Sequence, residues 1–157
     1  MLVTILTDAS HCPDSKVGGY GYWIISDRGH IKGGAEFKSV VKNINHAESM
    51  AVVNALYCSV QSGIAKNGDI ILVQSDSTTA LDILKYRKNK EEYGDIIREW
   101  RRLTRKMDKV IYRHVKGHSG VQDARSYANR YCDKIARRAM RRMREKPPHS
   151  GGGKGTA

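Results

Sequence analysis

"LVTILTDAS" at residues 2–10 is the stretch that decides the fold. Its first five residues are apolar or β-branched, which is the pattern of a strand buried on both faces. The run ends on the carboxylate of Asp8, and the small residues Ala9 and Ser10 follow it. An acid at the tip of a buried strand either turns the chain or is held there for chemistry. The rest of the sequence bears on that choice.

The remaining elements predict a mixed α/β sheet. A glycine- and aromatic-rich segment at 18–37 predicts a β-hairpin with its turn near 27–29. Short apolar runs predict two more strands, at 69–73 and 109–115. Helical spacing and capping residues predict four helices, within 45–64, 75–84, 91–106 and 124–146. This order implies an antiparallel hairpin, parallel strands joined by helices, and helices on the sheet faces.

The charge of the chain favours a polyanionic partner. There are 28 Lys and Arg residues against 16 Asp and Glu, which gives a net charge of +12. Nucleic acid is the first candidate partner, an anionic membrane the second, and a merely solvated basic surface the remaining alternative. No apolar run approaches the ~20 residues that span a membrane, so no membrane association is expected.

The 157 residues are expected to form one monomeric domain, residues 1–146, followed by a disordered glycine-rich tail, residues 147–157. The N-terminus lacks the basic segment of a signal peptide. The three cysteines have no metal-type spacing, which is typical of a reduced protein. A cytoplasmic protein is therefore expected.

Four acids fall where one end of such a sheet could gather them: Asp8, Glu48, Asp76 and Asp133. Two of them follow strands, one opens the first long helix, and the last lies on the final helix. Because sites in open α/β sheets form beyond the carboxyl ends of the strands, Asp8 and Asp76 are expected at the same edge.

Taken singly, each acid also fits a structural role. Asp8 could accept hydrogen bonds in a turn. Glu48 lies three residues after Asn45, the expected N-cap of the first helix, and so resembles the glutamate of a capping box. Asp76 could cap the helix that follows it. Asp133 could pair with an arginine of its own helix, Arg130 or Arg137.

Taken together, the acids favour metal chemistry. Carboxylates within a few ångströms of each other repel, and a divalent cation removes that penalty. Mg²⁺ prefers carboxylate oxygens, retained waters and substrate phosphates as ligands. Two such ions roughly 4 Å apart can activate a water and stabilise the departing oxygen in phosphodiester cleavage. Acids, divalent metal and a basic surface therefore form a coherent set for cutting nucleic acid.

A glycine-flanked loop supplies one further candidate. "KGHSG" at 116–120 places His118 between two glycines after the last strand. An imidazole titrates near neutral pH, so His118 could move protons beside a metal site or assist product release. The alternative is an exposed loop histidine without a role.

The ordered set of segments resembles the ribonuclease H family, bacterial type. The matching segments are "TDAS", "GGYGYW", "NHAESMAVVNAL", "VQSDSTTALDIL", "HVKGHSG" and "NRYCDKIARRA". They occur in the order that the family has them, and the resemblance as a whole covers residues 3–139. No single segment is specific, whereas the ordered set is.

The resemblance implies a ribonuclease H-like α/β fold, a five-stranded mixed sheet with its first three strands antiparallel and helices on both sides. It also implies cleavage of the RNA strand of RNA/DNA hybrids by two metal ions, Mg²⁺ or Mn²⁺, leaving 3′-hydroxyl and 5′-phosphate ends. Carried over by motif, the metal ligands would be Asp8, Glu48, Asp76 and Asp133, and His118 would be the loop histidine.

The substrate contacts depend on segments that depart from the family pattern. Ala9 replaces the usual glycine, Asp14 stands where an asparagine is common, and "NIN" replaces "TNN" before the glutamate, so that only Asn45 is a fair match. The expected substrate-binding residues are Ser10, Asn45, Ser77, Lys85, Arg87 and Lys88. Trp100 and the bases around it could form a surface for the DNA backbone, but Trp100 fits the core better.

Two questions stay open at the level of sequence. The arginines of the last helix, from Arg137 to Arg144, either extend the nucleic-acid surface or form the polar face of a docked helix. A same-fold nuclease that cuts DNA, such as a resolvase or integrase core, is the alternative enzyme. An inactive nucleic-acid-binding module is the alternative without catalysis.

Overall fold

The computed structural model describes residues 1–116 and 124–145. Five strands lie in the order β3-β2-β1-β4-β5. The first three strands pair antiparallel, whereas β4 pairs parallel to both β1 and β5. The elements are β1 Leu2–Cys12, β2 Val17–Ser26, β3 Gly29–Glu36, α1 Ile44–Gln61, β4 Ile70–Ser75, α2 Thr78–Tyr86, α3 Lys90–Thr104, β5 Lys109–His114 and α4 Ala124–Glu145. The predicted mixed sheet is confirmed. The predicted glycine-rich tail lies outside the described residues.

The sequence predicted that the first strand ends at Asp8, but in the structure the strand continues beyond this residue. β1 continues to Cys12 because its last residues pair with β2, from Asp8↔Gly21 to Cys12↔Val17. Its pairing with β4 stops earlier, at Leu6↔Gln74. Asp8 therefore lies where β1 runs past the end of β4, and a turn at this residue is excluded.

The predicted cap of the first helix is also wrong. Asn43 rather than Asn45 is the N-cap of α1, and its side chain accepts a hydrogen bond from the backbone N–H of His46 at 2.8 Å. Glu48 is then too far along the helix for a capping box, which places its glutamate at the third helical position. The second helix is capped by Ser77, whose Oγ accepts from the N–H of Ala80 at 3.1 Å, and not by Asp76.

The two faces of the sheet bury different helices. Alternate residues of β1, Val3 and Ile5, belong to the large core formed with α1, α2 and α3. Leu6 faces the other way and packs with Ala128 and Cys132 of α4. Trp100 is buried in the large core, and its indole N–H donates to Tyr112 Oη at 2.9 Å. Its place in the core is confirmed, and it offers no surface to DNA.

No helix among the described residues has the length and apolar character needed to cross a lipid bilayer.

Glycines of β2 and β3 let α4 lie directly on the sheet. A Cβ built on Gly19 would collide with Ala139, and one on Gly34 would collide with Ile135 and the strand backbone. A Cβ on Gly21 would collide with the carbonyl oxygen of Cys132 and lie 2.9 Å from its Cα. Gly21 pairs with Asp8 and Cys132 precedes Asp133, so this close approach sets where α4 sits relative to the first strand.

Gly21→Ala is therefore expected to destabilise the protein by about 2–3 kcal/mol or more, because the obstacle is backbone and cannot rotate away. Gly94→Ala is the matched control, since its added Cβ would meet only Arg98 Nη2, at 3.8 Å, in the interior of α3. That control is expected to be neutral or stabilising by up to about 1 kcal/mol. Urea denaturation measures both, and equal stability of the two variants would contradict the proposed close packing.

An ion pair between the half-buried Arg28 and the buried Asp69 joins two segments at the far end of the sheet. Asp69 Oδ1 accepts from Arg28 Nη2 at 3.0 Å, while Arg28 Nη1 also donates to the carbonyl of Ile64 at 2.8 Å. Asp69 further accepts from the N–H of Lys66 at 2.8 Å and lies 3.5 Å from the N-terminal ammonium. The hydrogen bond from Arg28 is the main reason why the pKa of Asp69 lies well below its ordinary value.

Asp69→Asn is expected to cost about 2–3 kcal/mol at pH 7, because it leaves the guanidinium without its charged partner. Since the folded pKa of Asp69 is lowered, this stabilisation is present above about pH 4 and is lost as the pH falls further. Unfolding curves at pH 7 and pH 3 should thus differ less for the variant than for the wild type. Asp27→Asn is the control, since Asp27 is an exposed acid next to Arg28 in the turn between β2 and β3. An equal loss of stability in that variant would contradict this role of Asp69.

Candidate active site

Three carboxylates from three elements meet at one edge of the sheet. Asp8 comes from β1, Glu48 from α1, and Asp76 directly follows β4. One potential ligand oxygen from each lies within 4.8 Å of the others. β1 and β4 are parallel neighbours, so their carboxyl ends lie side by side, and this brings Asp8 and Asp76 together. The predicted convergence of these three acids is confirmed.

Glu48 is the most deeply buried of the three. Its side chain is 5% exposed, and its Oε2 is buried without a hydrogen-bond partner in the described part of the chain. Burial first, and then the charges of Asp8 and Asp76, raise the pKa of Glu48 to about 10. Without a cation, Glu48 thus keeps its proton at neutral pH. An unpartnered carboxylate oxygen among other acids is the environment that a hard cation relieves.

Asp8 is held by the strand that carries it. Its Oδ1 accepts from the backbone N–H of Ala9 at 2.9 Å, and its carboxyl group hydrogen-bonds that of Glu48. Burial is the main cause that raises the pKa of Asp8 to about 7, and the charges of Asp76 and Asp133 add to it. Oxygen donors with this much unrelieved negative charge fit a divalent cation such as Mg²⁺ or Mn²⁺.

Asp133 lies close to this group without joining it. It is near enough to Asp8 for its charge to raise the pKa of Asp8. Its side chain is 30% exposed, and its Oδ1 accepts from Arg137 Nε at 3.1 Å, which is one of the two ion pairs considered from sequence. The neighbouring Cys132 donates its thiol to the carbonyl of Leu6 at 3.6 Å and so holds this turn of α4 against β1. The ligand role of Asp133 stays a prediction.

Comparison with known proteins bears on this geometry. The family model described as RNase H matches residues 2–141. The chain belongs to the RNase H family. Ribonucleases H are hydrolases, so the chain is an enzyme of this class. A search of curated proteins found no match to the chain.

Several solved structures of the family have a similar fold. RNase H1 from the halophilic archaeon Halobacterium salinarum is 20% identical, with a TM-score of 0.68 over 90% of this chain and 99% of that one. The N-terminal RNase H domain of Rv2228c from Mycobacterium tuberculosis is 17% identical, with a TM-score of 0.68 over 92% and 96%. LC11-RNase H1, solved in complex with an RNA/DNA hybrid, is 14% identical, with a TM-score of 0.68 over 91% and 99%.

The predicted substrate residues near the carboxylates lie on three elements. Ser10 is half-buried on β1, two residues beyond Asp8 and paired with Gly19. Asn45 is half-buried in the first turn of α1, where its carbonyl accepts from Ser49 Oγ at 2.7 Å. Ser77 Oγ accepts the hydrogen bond that caps α2, so a contact with substrate would use its hydroxyl as a donor.

The predicted basic contacts surround the end of α2. Lys85, Arg87 and Lys88 are all exposed, and Arg87 ends the helix in the left-handed region with φ 56°. The Nζ atoms of Lys85 and Lys88 lie 5.1 and 5.8 Å from the ring centroid of Tyr86. These contacts gather positive charge around one exposed aromatic ring. His118, the predicted loop histidine, lies outside the described residues.

A junction between the N-terminal end of α1 and α3 was not predicted from the sequence. Asn43 Nδ2 donates to Tyr93 Oη at 3.1 Å, and Lys42 Nζ donates to the carbonyl of Glu92 at 2.7 Å. The ring of His46 stacks on that of Tyr93, with their centroids 6.0 Å apart. The available signal was Asn43 itself, an equally good capping residue two positions before Asn45. The junction fixes the start of the helix that carries Glu48.

Proposed function

We propose that this protein hydrolyses the RNA strand of RNA/DNA hybrids endonucleolytically, leaving 3′-hydroxyl and 5′-phosphate ends. The observation that carries the proposal is the meeting of Asp8, Glu48 and Asp76, with ligand atoms within 4.8 Å, in a chain of the RNase H family. The net charge of +12 supports a nucleic-acid substrate. The hybrid in the LC11-RNase H1 structure supports the substrate class.

We further propose that Asp8, Glu48 and Asp76 hold divalent metal, Mg²⁺ or Mn²⁺, with Asp133 completing a two-ion site. The fit is supported by the orphaned Oε2 of Glu48 and by the raised pKa values of Asp8 and Glu48, both of which a cation would lower. Two bound ions would activate the attacking water and stabilise the departing oxygen.

Each of the three carboxylates, and the loop histidine, has its own role in this proposed site. Asp8 is positioned by a strand paired on both sides up to Leu6, so its carboxylate is rigidly placed. Glu48 supplies a buried oxygen that no solvent competes for. Asp76 is the exposed member of the three, so we propose that it is the carboxylate most accessible to an incoming phosphodiester. His118 is proposed, from the family resemblance, to accept or return a proton during product release.

Recognition of the hybrid is assigned to two groups of residues. We propose that Ser10, Asn45 and Ser77, which flank the three carboxylates, contact the backbone of the RNA strand, where 2′-hydroxyls mark RNA. Lys85, Arg87 and Lys88 would contact the phosphates of the DNA strand, since they are exposed and cluster around Tyr86. Such contacts would be independent of sequence and sensitive to salt.

The test uses end-labelled RNA/DNA hybrid, duplex RNA, duplex DNA and both single strands, each incubated with the protein and Mg²⁺. Cleavage of the RNA in the hybrid, absent from an Asp8→Asn variant, is the expected result. Cleavage of DNA would favour the resolvase-like alternative instead. Binding of the hybrid without cleavage under Mg²⁺ or Mn²⁺ would leave an inactive binding module.

A further inference from the structure

The outer face of α4 is almost entirely cationic. Ala128, Cys132, Ala136 and Ala139 are buried against the sheet, so the opposite side of the helix faces solvent. Six exposed cations occupy that side and are called the α4 cationic face: Arg130, Lys134, Arg137, Arg138, Arg141 and Arg144. They repeat at three- and four-residue spacing, so they form one continuous strip about 21 Å long.

The cations of this face outnumber the acids of the same helix. Between residues 127 and 145 the helix holds only two acids, Asp133 and Glu145. Among the described residues, Arg137 is the one member of the face with an ion pair, to Asp133. Arg142, outside the face, pairs with Glu36. Like charges at helical i,i+4 spacing repel and destabilise the helix. This repulsion is relieved when a polyanion lies along the helix.

The α4 cationic face starts beside the three carboxylates. Lys134 follows Asp133, whose charge acts on Asp8. The helix then crosses β2 from Gly21, which contacts Cys132, to Gly19, which contacts Ala139. At its far end the charge of Arg144 acts on Cys12, the last residue of β1. The strip thus runs away from the cleavage site on the side of the sheet opposite α1, α2 and α3.

We propose that the α4 cationic face is a second nucleic-acid surface, which holds the phosphate backbone of a duplex that continues past the cleavage site. The identity of that duplex rests on the proposed function. A membrane is a poorer fit, because the apolar side of α4 is buried in the sheet and cannot enter a bilayer. Arginine and lysine side chains on an exposed helix can pair with phosphates of any sequence, so we expect the contact to be independent of sequence.

The experiment compares two variants that lose the same charge. Arg138→Gln, Arg141→Gln and Arg144→Gln together remove three members of the face that form no hydrogen bond or ion pair with described residues. Arg105→Gln, Lys106→Gln and Lys109→Gln form the control, since these exposed residues lie at the opposite end of the sheet, where Lys109 pairs with Ile70. Both are made with Asp8→Asn, so that dissociation constants are measured without cleavage. Circular dichroism and thermal melting verify folding.

Two hybrids of about 10 and about 30 base pairs serve as ligands, and both behave as stiff rods because the persistence length of a duplex is about 150 base pairs. For the longer hybrid, the α4 variant should bind about 10-fold more weakly at fixed salt. The plot of the logarithm of its association constant against the logarithm of the salt concentration should be shallower, with a slope about 2 less negative than that of the wild type. This is the change expected for the loss of two to three phosphate contacts. The short hybrid should bind all proteins within about 3-fold.

Equal weakening by both triple variants would overturn the proposal, since net charge alone would then explain the result. Unchanged binding of the long hybrid by the α4 variant would overturn it too, and would leave the face to solvent or to an acidic protein. Failure of the wild type to cleave hybrid, with length-dependent binding intact, would refute the proposed function and not the second surface.

Discussion

Glu48→Gln is expected to make the metal-free protein more stable at pH 8 while it lowers cleavage of hybrid RNA by about 10³-fold or more. The loss of activity follows from removing a carboxylate oxygen from the proposed metal site, where several kcal/mol of charge stabilisation are at stake. The gain in stability follows from the environment of Glu48, whose buried Oε2 has no partner among the described residues.

The pH dependence has a definite direction. The pKa of Glu48 is raised from 4.5 to about 10 on folding, so above about pH 4.5 the unfolded chain releases a proton that the folded protein retains. Stability therefore falls as the pH rises through this window. Asp8 adds the same trend between pH 3.8 and about 7. The Gln variant has no proton to lose at position 48, so its stability should decline less.

Thermal unfolding in EDTA between pH 5 and pH 9 measures this effect. At pH 8 the Gln variant should melt about 2–8 °C above the wild type, as a difference of about 1–2 kcal/mol would give in a domain of this size. Adding Mg²⁺ should raise the melting temperature of the wild type more than that of the variant. Glu91→Gln, at an exposed acid of α3, is the control and should change neither quantity. A Gln variant that is less stable than the wild type in EDTA would contradict the assigned strain.

Local pattern predicted the scaffold of the site because β1 and β4 begin with apolar runs and because α2, α3 and α4 are amphipathic. The convergence of Asp8 and Asp76 followed from one rule, that parallel neighbouring strands end at the same edge. The pattern misplaced the end of β1, because the residues from Ala9 to Cys12 form no continuous apolar run and belong to the strand through their pairing with β2. Pairing between distant residues carries no signature in the strand itself.

The remaining site features depend on contacts between distant segments. The place of Asp133 depends on α4 lying directly over Gly21, and a glycine in a strand does not reveal which helix will approach it. The choice between Asn43 and Asn45 as cap depends on Tyr93, which is 50 residues away from Asn43. Local spacing made Glu48 look like part of a capping box, whereas tertiary packing buries it among other acids.

Asp76→Asn is expected to lower cleavage as much as Glu48→Gln, about 10³-fold or more, with a smaller change in metal-free stability. Asp76 is the exposed member of the three carboxylates, so it has little burial strain of its own to release. The charge of Asp76 raises the pKa values of Asp8 and Glu48, so removing that charge should lower both. The melting temperature in EDTA at pH 8 should thus rise slightly.

Two comparisons separate a metal ligand from a merely nearby charge. Asp82→Asn removes one negative charge from α2, the helix that follows Asp76. Asp82 lies 4.0 Å from Lys88 in a surface ion pair, so this variant should cleave within about 3-fold of the wild-type rate. His118→Ala should slow cleavage without abolishing it, since a group that only moves protons contributes about 10²–10⁴-fold and water can partly replace it. Cleavage rates under saturating Mg²⁺ measure all three variants.

Complete loss of cleavage in both Asp76→Asn and His118→Ala would contradict the division between a carboxylate that holds metal and a histidine that moves protons. Full activity in Asp76→Asn would remove Asp76 from the site, because an amide cannot replace the charge of a carboxylate that binds a divalent cation.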